Sequence, residues 1–402
     1  MFSYVGYTSQ KIAVGSQSQI DVALGVEAET LDEVVVVGYG AVKKEDLTGV
    51  VAKVGQREFN KGVITSPENL LTGKVAGLQV VNNGQPGGDF TFRLRGPSSL
   101  GAGADPLIVV DGVPLAPTGA NSSRNPLNFL NPSDIADISV LKDAAAASIY
   151  GSRGANGVIM ITTKTGSGKL KVSYDGFYSL AQLGANPDVF TADEFRQAVD
   201  AVAPSRRRFL GDANTDWIDE VTQIARSTQH NLSIQGGKPK LSYYITLGLQ
   251  DIGGVLKTSS HENKSASVNL NSKLLNDRLN ISVRSKNGWT QDRFSPDVMN
   301  AARIFDPTQP VRDPESTEFG GYYQHESTLA VNNPVASLFL TNHTGSSFRS
   351  LNNIKLSYDL PFIEGLSFTV NGAYDLTEGD ESRMQFPTLK AMETGGEDGF
   401  LQ

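Results

Sequence analysis

LSYYITLGLQ, residues 241–250, alternates without a break. Leu241, Tyr243, Ile245, Leu247 and Leu249 fall on one side of an extended chain. Ser242, Tyr244, Thr246, Gly248 and Gln250 fall on the other. Successive side chains of a strand point to opposite faces, so this stretch reads as a strand with one apolar and one polar face. The pattern recurs on both sides of it. KLKVSYDGFYSL (169–180) sets Leu170, Val172, Tyr174, Gly176, Tyr178 and Leu180 against Lys171, Ser173, Asp175 and Ser179. ASVNLNSKL (266–274) sets Ala266, Val268, Leu270 and Leu274 against Ser267, Asn269, Asn271 and Lys273. In LNISVRSKNGW (279–289), Leu279, Ile281, Val283 and Trp289 oppose Asn280, Ser282, Arg284 and Lys286. HNLSIQ (230–235), NIKLSY (353–358) and LSFTVNGAYD (366–375) follow suit. One such strand arises easily by chance; seven, several joined by the turn-like GGKPK and LNDR, make an antiparallel sheet from about residue 169 onward.

Periodicity does not say which face is wet. A soluble sandwich turns its apolar faces inward, whereas a transmembrane barrel turns them to lipid and its polar faces to the lumen. Three features favour the barrel. The strands have about the length a tilted strand needs to cross a bilayer. Tyr174, Tyr178, Tyr243, Trp289, Tyr358 and Tyr374 sit on the apolar face or near strand ends, as interface girdles do. Short connections (236–240, 275–278) alternate with long polar ones (181–223, 291–345). On pattern alone, barrel and sandwich stay level.

The preceding region differs. Residues 46–166 mix short strands with two helices and read as a compact α+β unit. SPENLLTG (66–73) predicts a helix with Ser66 as N-cap and Pro67 at N1. LKDAAAASIYG (141–151) predicts another, capped by Asp143 and stopped at Gly151. The strands are LQVV (78–81), FTFRLRG (90–96), PLIVVDGVP (106–114), DISVL (137–141) and GVIMITTK (157–164). Residues 1–28 carry two alternating stretches, too few strands to close a core.

Composition narrows the function. A net charge of −8 lacks the basic footprint of a nucleic-acid binder. No run is apolar and long enough for a transmembrane helix, which leaves β-barrels open. The absence of cysteine removes disulfides, thiolate metal sites and cysteine nucleophiles. The opening MFSYVGYTSQKIAVG lacks the features of a signal peptide, so the protein is either cytosolic or begins part-way through a longer sequence. TGSGKL (165–170) is no phosphate loop: Thr163 stands where the first glycine belongs, Leu170 follows the lysine, and a strand comes next. His325 lacks the second histidine of a zinc helix, with Leu329 in its place. DANTDW (212–217) starts like a calcium loop, but Trp217 and Gln223 occupy its glycine and closing glutamate. Four scattered histidines and no serine–histidine–acid set leave no catalytic machinery, metal or cofactor to assign.

Several stretches carry a resemblance: LDEVVVVGYG (31–40), KKEDLTG (43–49), GLQVVNNGQPGG (77–88), FRLRGPSSL (92–100), PLIVVDGVPL (106–115), NPSDIADISVLKDAAAASIYGSRGANGVIMITTKTG (131–166) and KVSYDGFY (171–178). Together with TDWIDEV and HNLSIQGG they closely resemble the SusC/RagA-type TonB-linked outer-membrane proteins, over nearly the whole chain. The resemblance implies a mainly β protein: an α+β plug followed by transmembrane strands of a barrel of about 22. It implies import of oligosaccharides or peptides through the bacterial outer membrane, with plug and TonB box facing the periplasm. It also implies the C-terminal domain of TonB, a SusD-like surface lipoprotein and outer-membrane lipid as partners.

The domain limits follow as 1–28, the end of a carboxypeptidase-regulatory-like domain; 29–45, TonB box and linker; 46–167, plug; and 168–402, the first part of the barrel. An open set of strands would leave an unpaired edge in lipid, so the sequence reads as cut at both ends.

The resemblance makes Asp32, Glu33, Val34, Val35, Val36, Val37 and Gly38 the TonB-binding segment. Four valines are strong strand formers, and LDEVVVVGYG shows no evident local partner. Such a segment can add as a strand to a partner's sheet; the plain alternative is an ordinary strand of the N-terminal domain. Within the plug, Arg93 and Arg95 share one strand face and read as pairing with lumen carboxylates, with substrate contact as the alternative and Gly96 behind them. Asp111 and Gly112 read as a hairpin turn. Gly151, Arg153, Gly154 and Gly157 in GSRGANG read as a helix stop and turn with glycines at positive φ. The rivals are a siderophore receptor of the same architecture and a secreted glycan-binding adhesin.

Overall fold

The computed structural model describes Val22 and residues 34–37, 40–43, 51–82, 84–88, 90–94, 105–116, 125–142, 150–184, 188–314, 318–325, 330–363 and 365–389. The two strands read in 1–28, Asp32, Glu33, Gly38, Arg95, Gly96 and Asp143 lie outside them.

The valine run does have a local partner. β1 (Val34–Val37) pairs antiparallel with β2 (Gly40–Lys43) as a two-stranded sheet of its own. The sequence hid this because Gly40–Lys43 has little strand propensity.

The next unit is built on β3 (Val51–Gly55), β6 (Leu107–Val110), β7 (Val113–Pro114), β8 (Ile135–Leu141) and β9 (Val158–Thr163). Their order is β3-β8-β9-β6-β7; β6 and β9 run parallel and the other pairs antiparallel. β4 (Leu78–Asn82) and β5 (Phe90–Leu94) form a separate antiparallel pair. Short apolar strands surround one core that includes Leu71, Leu127, Leu130, Ile138, Val140, Ile159 and Ile161, each at most 2 % exposed.

The first expected helix is a single 3-10 turn, Pro67–Leu70. Pro67 is at N1, but Ser66 makes no side-chain cap, so nothing propagates the turn. The second expected helix falls largely on residues outside the description. Its predicted stop is a 3-10 turn, Gly151–Gly154, with Gly151 at φ 63 and Gly157 at φ 90; Gly154 is not at positive φ.

All seven alternating segments form one antiparallel sheet in chain order: β10 (Lys171–Ala181), β11 (Ala225–Lys238), β12 (Leu241–Gly253), β13 (Ser260–Leu274), β14 (Leu279–Arg293), β15 (Thr341–Asp359) and β16 (Ser367–Gln385). Residues 239–240, 275–278 and the described residues of 360–366 close one end. The described residues of 182–224 and 294–340 lie at the other.

The two long connections, polar by sequence, are folded. Helix Ala192–Val202 starts at a full capping box between Thr191 and Glu194. Asp216, part of the abortive calcium motif, instead caps helix Trp217–Val221 through the amides of Ile218 and Asp219. Asn333 caps helix Pro334–Phe339 in the same way. Trp217, Val221, Phe305, Tyr322, Val335 and Leu338 from these connections form a second core. The Trp217 indole N–H donates to Asp306 O at 2.9 Å.

Candidate functional site at the plug–wall interface

The seven-stranded wall is inside out by the standard of a soluble sheet. Its apolar face is exposed: Val172, Tyr174, Leu247, Leu249, Trp289, Ile354 and Phe368 all stand open. Its polar face is buried against the α+β unit, with Gln229, Asn231, Thr246, Asn263, Ser267, Asn269, Lys286 and Arg349 each at most 7 % exposed. Burying polar groups is costly unless each finds a partner, and here the partners come from loops and turns of the plug.

Asp111 is at the centre. It occupies the β6–β7 turn with φ 49, followed by Gly112 at φ 84. Two consecutive positive φ values make the type I′ hairpin turn that Asp-Gly favours. The turn aims the carboxylate away from its own hairpin. Thr163 donates to it from its amide at 2.9 Å and its hydroxyl at 2.7 Å. From β14, Lys286 Nζ lies 2.5 Å from Oδ2 and Arg284 Nη1 3.6 Å from Oδ1. The Asp111 and Lys286 side chains are 2 % and 3 % exposed. Burial alone would raise the Asp111 pKa, but the two cations and the Thr163 and Lys286 hydrogen bonds outweigh it and hold the carboxyl below its usual range. Asn269 on β13 completes the cluster, donating to Thr163 Oγ1 at 3.1 Å and to Lys164 O at 2.7 Å.

Asp134 is a second buried carboxyl with the opposite balance. Thr246 and Ser267 hydroxyls each donate to its Oδ2 at 2.7 Å. Its Oδ1 has no hydrogen-bond partner among the described residues. Burial dominates and pushes this pKa up, against the hydroxyl bonds. Neutral contacts extend toward the loop end. Asn131 Nδ2 donates to Asn231 Oδ1 at 2.6 Å, Asn263 Nδ2 to Asn128 O at 2.6 Å, and Gln250 Nε2 to Thr65 O at 3.0 Å. Arg349 grips Asp375 at 2.9 and 2.6 Å and donates to Pro126 O at 3.2 Å. Gly288 lets the plug touch the wall: a Cβ there would stand 2.6 Å from Phe129 Cα.

Two sequence readings change. Arg93 lies 3.9 Å from Asp105, within the plug, rather than on a lumen carboxylate. The charge polarity is reversed: at the central cluster the plug supplies the acid and the wall the cations. Asp111 is a turn residue as read, and an ion-pair anchor as well. Gly157 sits where a Cβ would meet Leu94 Cδ1 at 2.5 Å, and Arg153 and Gly154 lie in the 3-10 turn before it. Asp134, Asn131, Arg349 and Gly288 escaped sequence reading altogether. Lys286 and Arg284 were legible only as members of a polar face.

Comparison with known proteins supplies the family. Residues 43–158 match the model of the TonB-dependent receptor plug domain. The TonB-dependent receptor SusC of Bacteroides thetaiotaomicron is 38% identical over 408 residues, covering 96% of this chain and 40% of that protein. The chain belongs to the SusC/RagA-type TonB-dependent receptors. A further TonB-dependent receptor, from Formosa agariphila, is 34% identical over 418 residues, which is 99% of this chain and 39% of that one. The RagAB peptide importer in its closed-closed state matches in fold with a TM-score of 0.68 at 23% identity, over 85% of this chain and 42% of that one. The α+β unit is therefore the plug, and the wall is a run of barrel strands. The chain spans about two fifths of the length of the curated relatives it matches.

Proposed function

We propose that the full-length protein imports oligosaccharides or peptides across the bacterial outer membrane, driven through TonB and lidded by a SusD-like lipoprotein. The reading rests above all on the inverted wall: apolar residues face outward and a buried polar face, hydrogen-bonded across the interface, grips a separate plug. A plug held by hydrogen bonds and one ion cluster, rather than by continuous apolar packing, can be displaced by a directed pull and reseat. The folded connections gather at one end of the strands and the short turns at the other. Barrels carry short turns on the periplasmic side, which supports placing the plug entry, the β1–β2 hairpin and TonB there. Asp32–Gly38 would be the TonB-binding segment, with β1 offering main-chain groups for strand addition. The plug loops and the groove beside Phe190, Trp217 and Phe305 would face the outside. Peptides stand in the substrate class because the RagAB peptide importer shares the fold of this chain.

The test is growth on a defined oligosaccharide or peptide source by cells carrying the full-length protein, with and without functional TonB. Growth that requires both the protein and TonB supports the reading. Growth that persists undiminished without TonB contradicts it.

A further inference from the structure

The inner face of the wall is cationic where the seated plug is acidic. Strand registers define four lateral rows from the ion cluster to the short turns. The first runs Ser173, Ser233, Thr246, Ser267, Lys286, Leu351 and Asp375. The second runs Lys171, Gln235, Tyr244, Asn269, Arg284, Asn353 and Ala373. The third runs Gly237, Ser242, Asn271, Ser282, Lys355 and Asn371. The fourth runs Lys273, Asn280, Ser357 and Thr369. Residues opposite one another in register share a face, and the buried Thr246, Ser267, Asn269, Lys286 and Asn353 make it the plug-facing one. The rows hold five cations and one acid, Asp375, which Arg349 already grips. The chain as a whole carries a net charge of −8, so this bias is local to the face.

The plug supplies the opposite charge. Asp111 meets Lys286 and Arg284, and Asp134 meets Thr246 and Ser267 of the first row. Both acids travel with the plug, whereas the cations belong to the wall. Asp111 does not use all that the wall offers. Its contact to Arg284 is 3.6 Å, beyond hydrogen-bond length. Arg284 Nε is buried and has no hydrogen-bond partner among the described residues. A guanidinium binds a carboxylate best through two parallel N–H groups, and here that contact is still open. A carboxylate freed from the geometry of the β6–β7 turn can reach the Lys286 ammonium and the Arg284 fork together.

We propose that Arg284 and Lys286 form an anion station in the transport path: Asp111 fills it while the plug is seated, and a carboxylate of the cargo fills it once the plug has moved. This rests on the transport reading above and narrows the cargo to chains that bear carboxylates, whether acidic peptides or oligosaccharides with uronic acids. Fixed cations along a confined passage draw anions in and repel cations. Lys171, Lys355 and Lys273 carry the same sign onward to the short-turn end. Asp111 is thus an internal stand-in for the group that the open passage receives.

Two measurements on the full-length protein test it. In Asp111→Gly, glycine accepts the positive φ and leaves a gap the size of an acetate ion beside Lys286. Sodium acetate should slow hydrogen exchange in β6–β9 of this variant about tenfold relative to sodium chloride or acetamide, the slowing expected of a ligand at roughly ten times its Kd. Adding Lys286→Met should abolish the effect. Acetate that protects no better than chloride would overturn the station. The second measurement follows the loss of matched acidic and neutral peptides, and acidic and neutral oligosaccharides, from the medium of cells with functional TonB. Acidic members of one kind should disappear at least about tenfold faster than neutral ones, and which kind does so identifies the source of the carboxylate. In Asp111→Asn/Lys286→Met that ratio should collapse toward one. Equal rates in the unaltered protein, or a ratio that survives the double change, would overturn the proposal while transport stands. Acetate protection without any TonB-dependent uptake would strike the transport reading, and with it the cargo's part in the proposal, but leave the anion site.

Discussion

Deleting Asp32–Gly38 from the full-length protein is expected to reduce energised uptake to background while leaving the amount of folded protein in the membrane unchanged. β1 pairs only with β2 among the described residues and is no part of the plug sheet. What is lost is a row of main-chain donors and acceptors. Strand addition draws its strength from such groups, at a net ~1 kcal/mol per hydrogen bond. Val35→Pro is the sharper version, since proline removes one N–H and cannot sit inside a paired strand. It should lower uptake severalfold with the segment length preserved. Uptake and surface abundance are measured side by side. Normal uptake by the deletion would show that TonB engages the protein elsewhere.

Lys286→Met is expected to loosen the plug far more than any change at a solvent-exposed lysine. It leaves Asp111 buried with Arg284 as its remaining cation, 3.6 Å away. Breaking one partner out of a buried ion pair costs about 3–5 kcal/mol, against about 0–1 kcal/mol for an exposed pair. Hydrogen exchange in β6–β9 should accelerate, and a large antibiotic normally excluded by the seated plug should gain entry. Adding Asp111→Asn should recover much of the loss, because asparagine tolerates the positive φ and still accepts from Thr163. Acid should act in the same direction. The Asp111 pKa is depressed in the folded state, so its contribution is present above the unfolded value of ~3.9 and fades as pH falls through the lower folded value. If Lys286→Met exchanges like wild type, the ion cluster does not hold the plug.

The strands were legible because alternation is a local signal: Leu241–Leu249 announces β12 with no knowledge of the rest. The wet face was not legible, since a sandwich and a barrel give the same period. Only the side on which Asp111 and Asp134 are buried decides it. Those contacts join residues far apart, such as Asn131 with Asn231 and Thr246 with Asp134, and no window of sequence contains both partners. The second core escaped for the same reason, since Trp217 and Phe305 meet from separate connections with rings 4.6 Å apart. The helix expected at 66–73 failed for a different reason: Ser66 and Pro67 supply start signals, but the segment carries no further turn. Family motifs marked the plug but gave no hint that the ion cluster would take its acid from the Asp-Gly turn.

The central claim is that the exposed apolar face of the wall meets lipid. Residues 1–402 lack cysteine, so single cysteines placed there can be labelled with a fluorophore in the reconstituted full-length protein once any cysteine elsewhere in it is changed to serine. Ile354 and its neighbour Lys355 point to opposite faces, as do Leu247 on β12 and Ser233 on β11. Nitroxide-bearing lipid should quench labels at Ile354→Cys and Leu247→Cys strongly and those at Lys355→Cys and Ser233→Cys weakly. Equal quenching at both faces, or stronger quenching at Lys355→Cys and Ser233→Cys, would contradict the account.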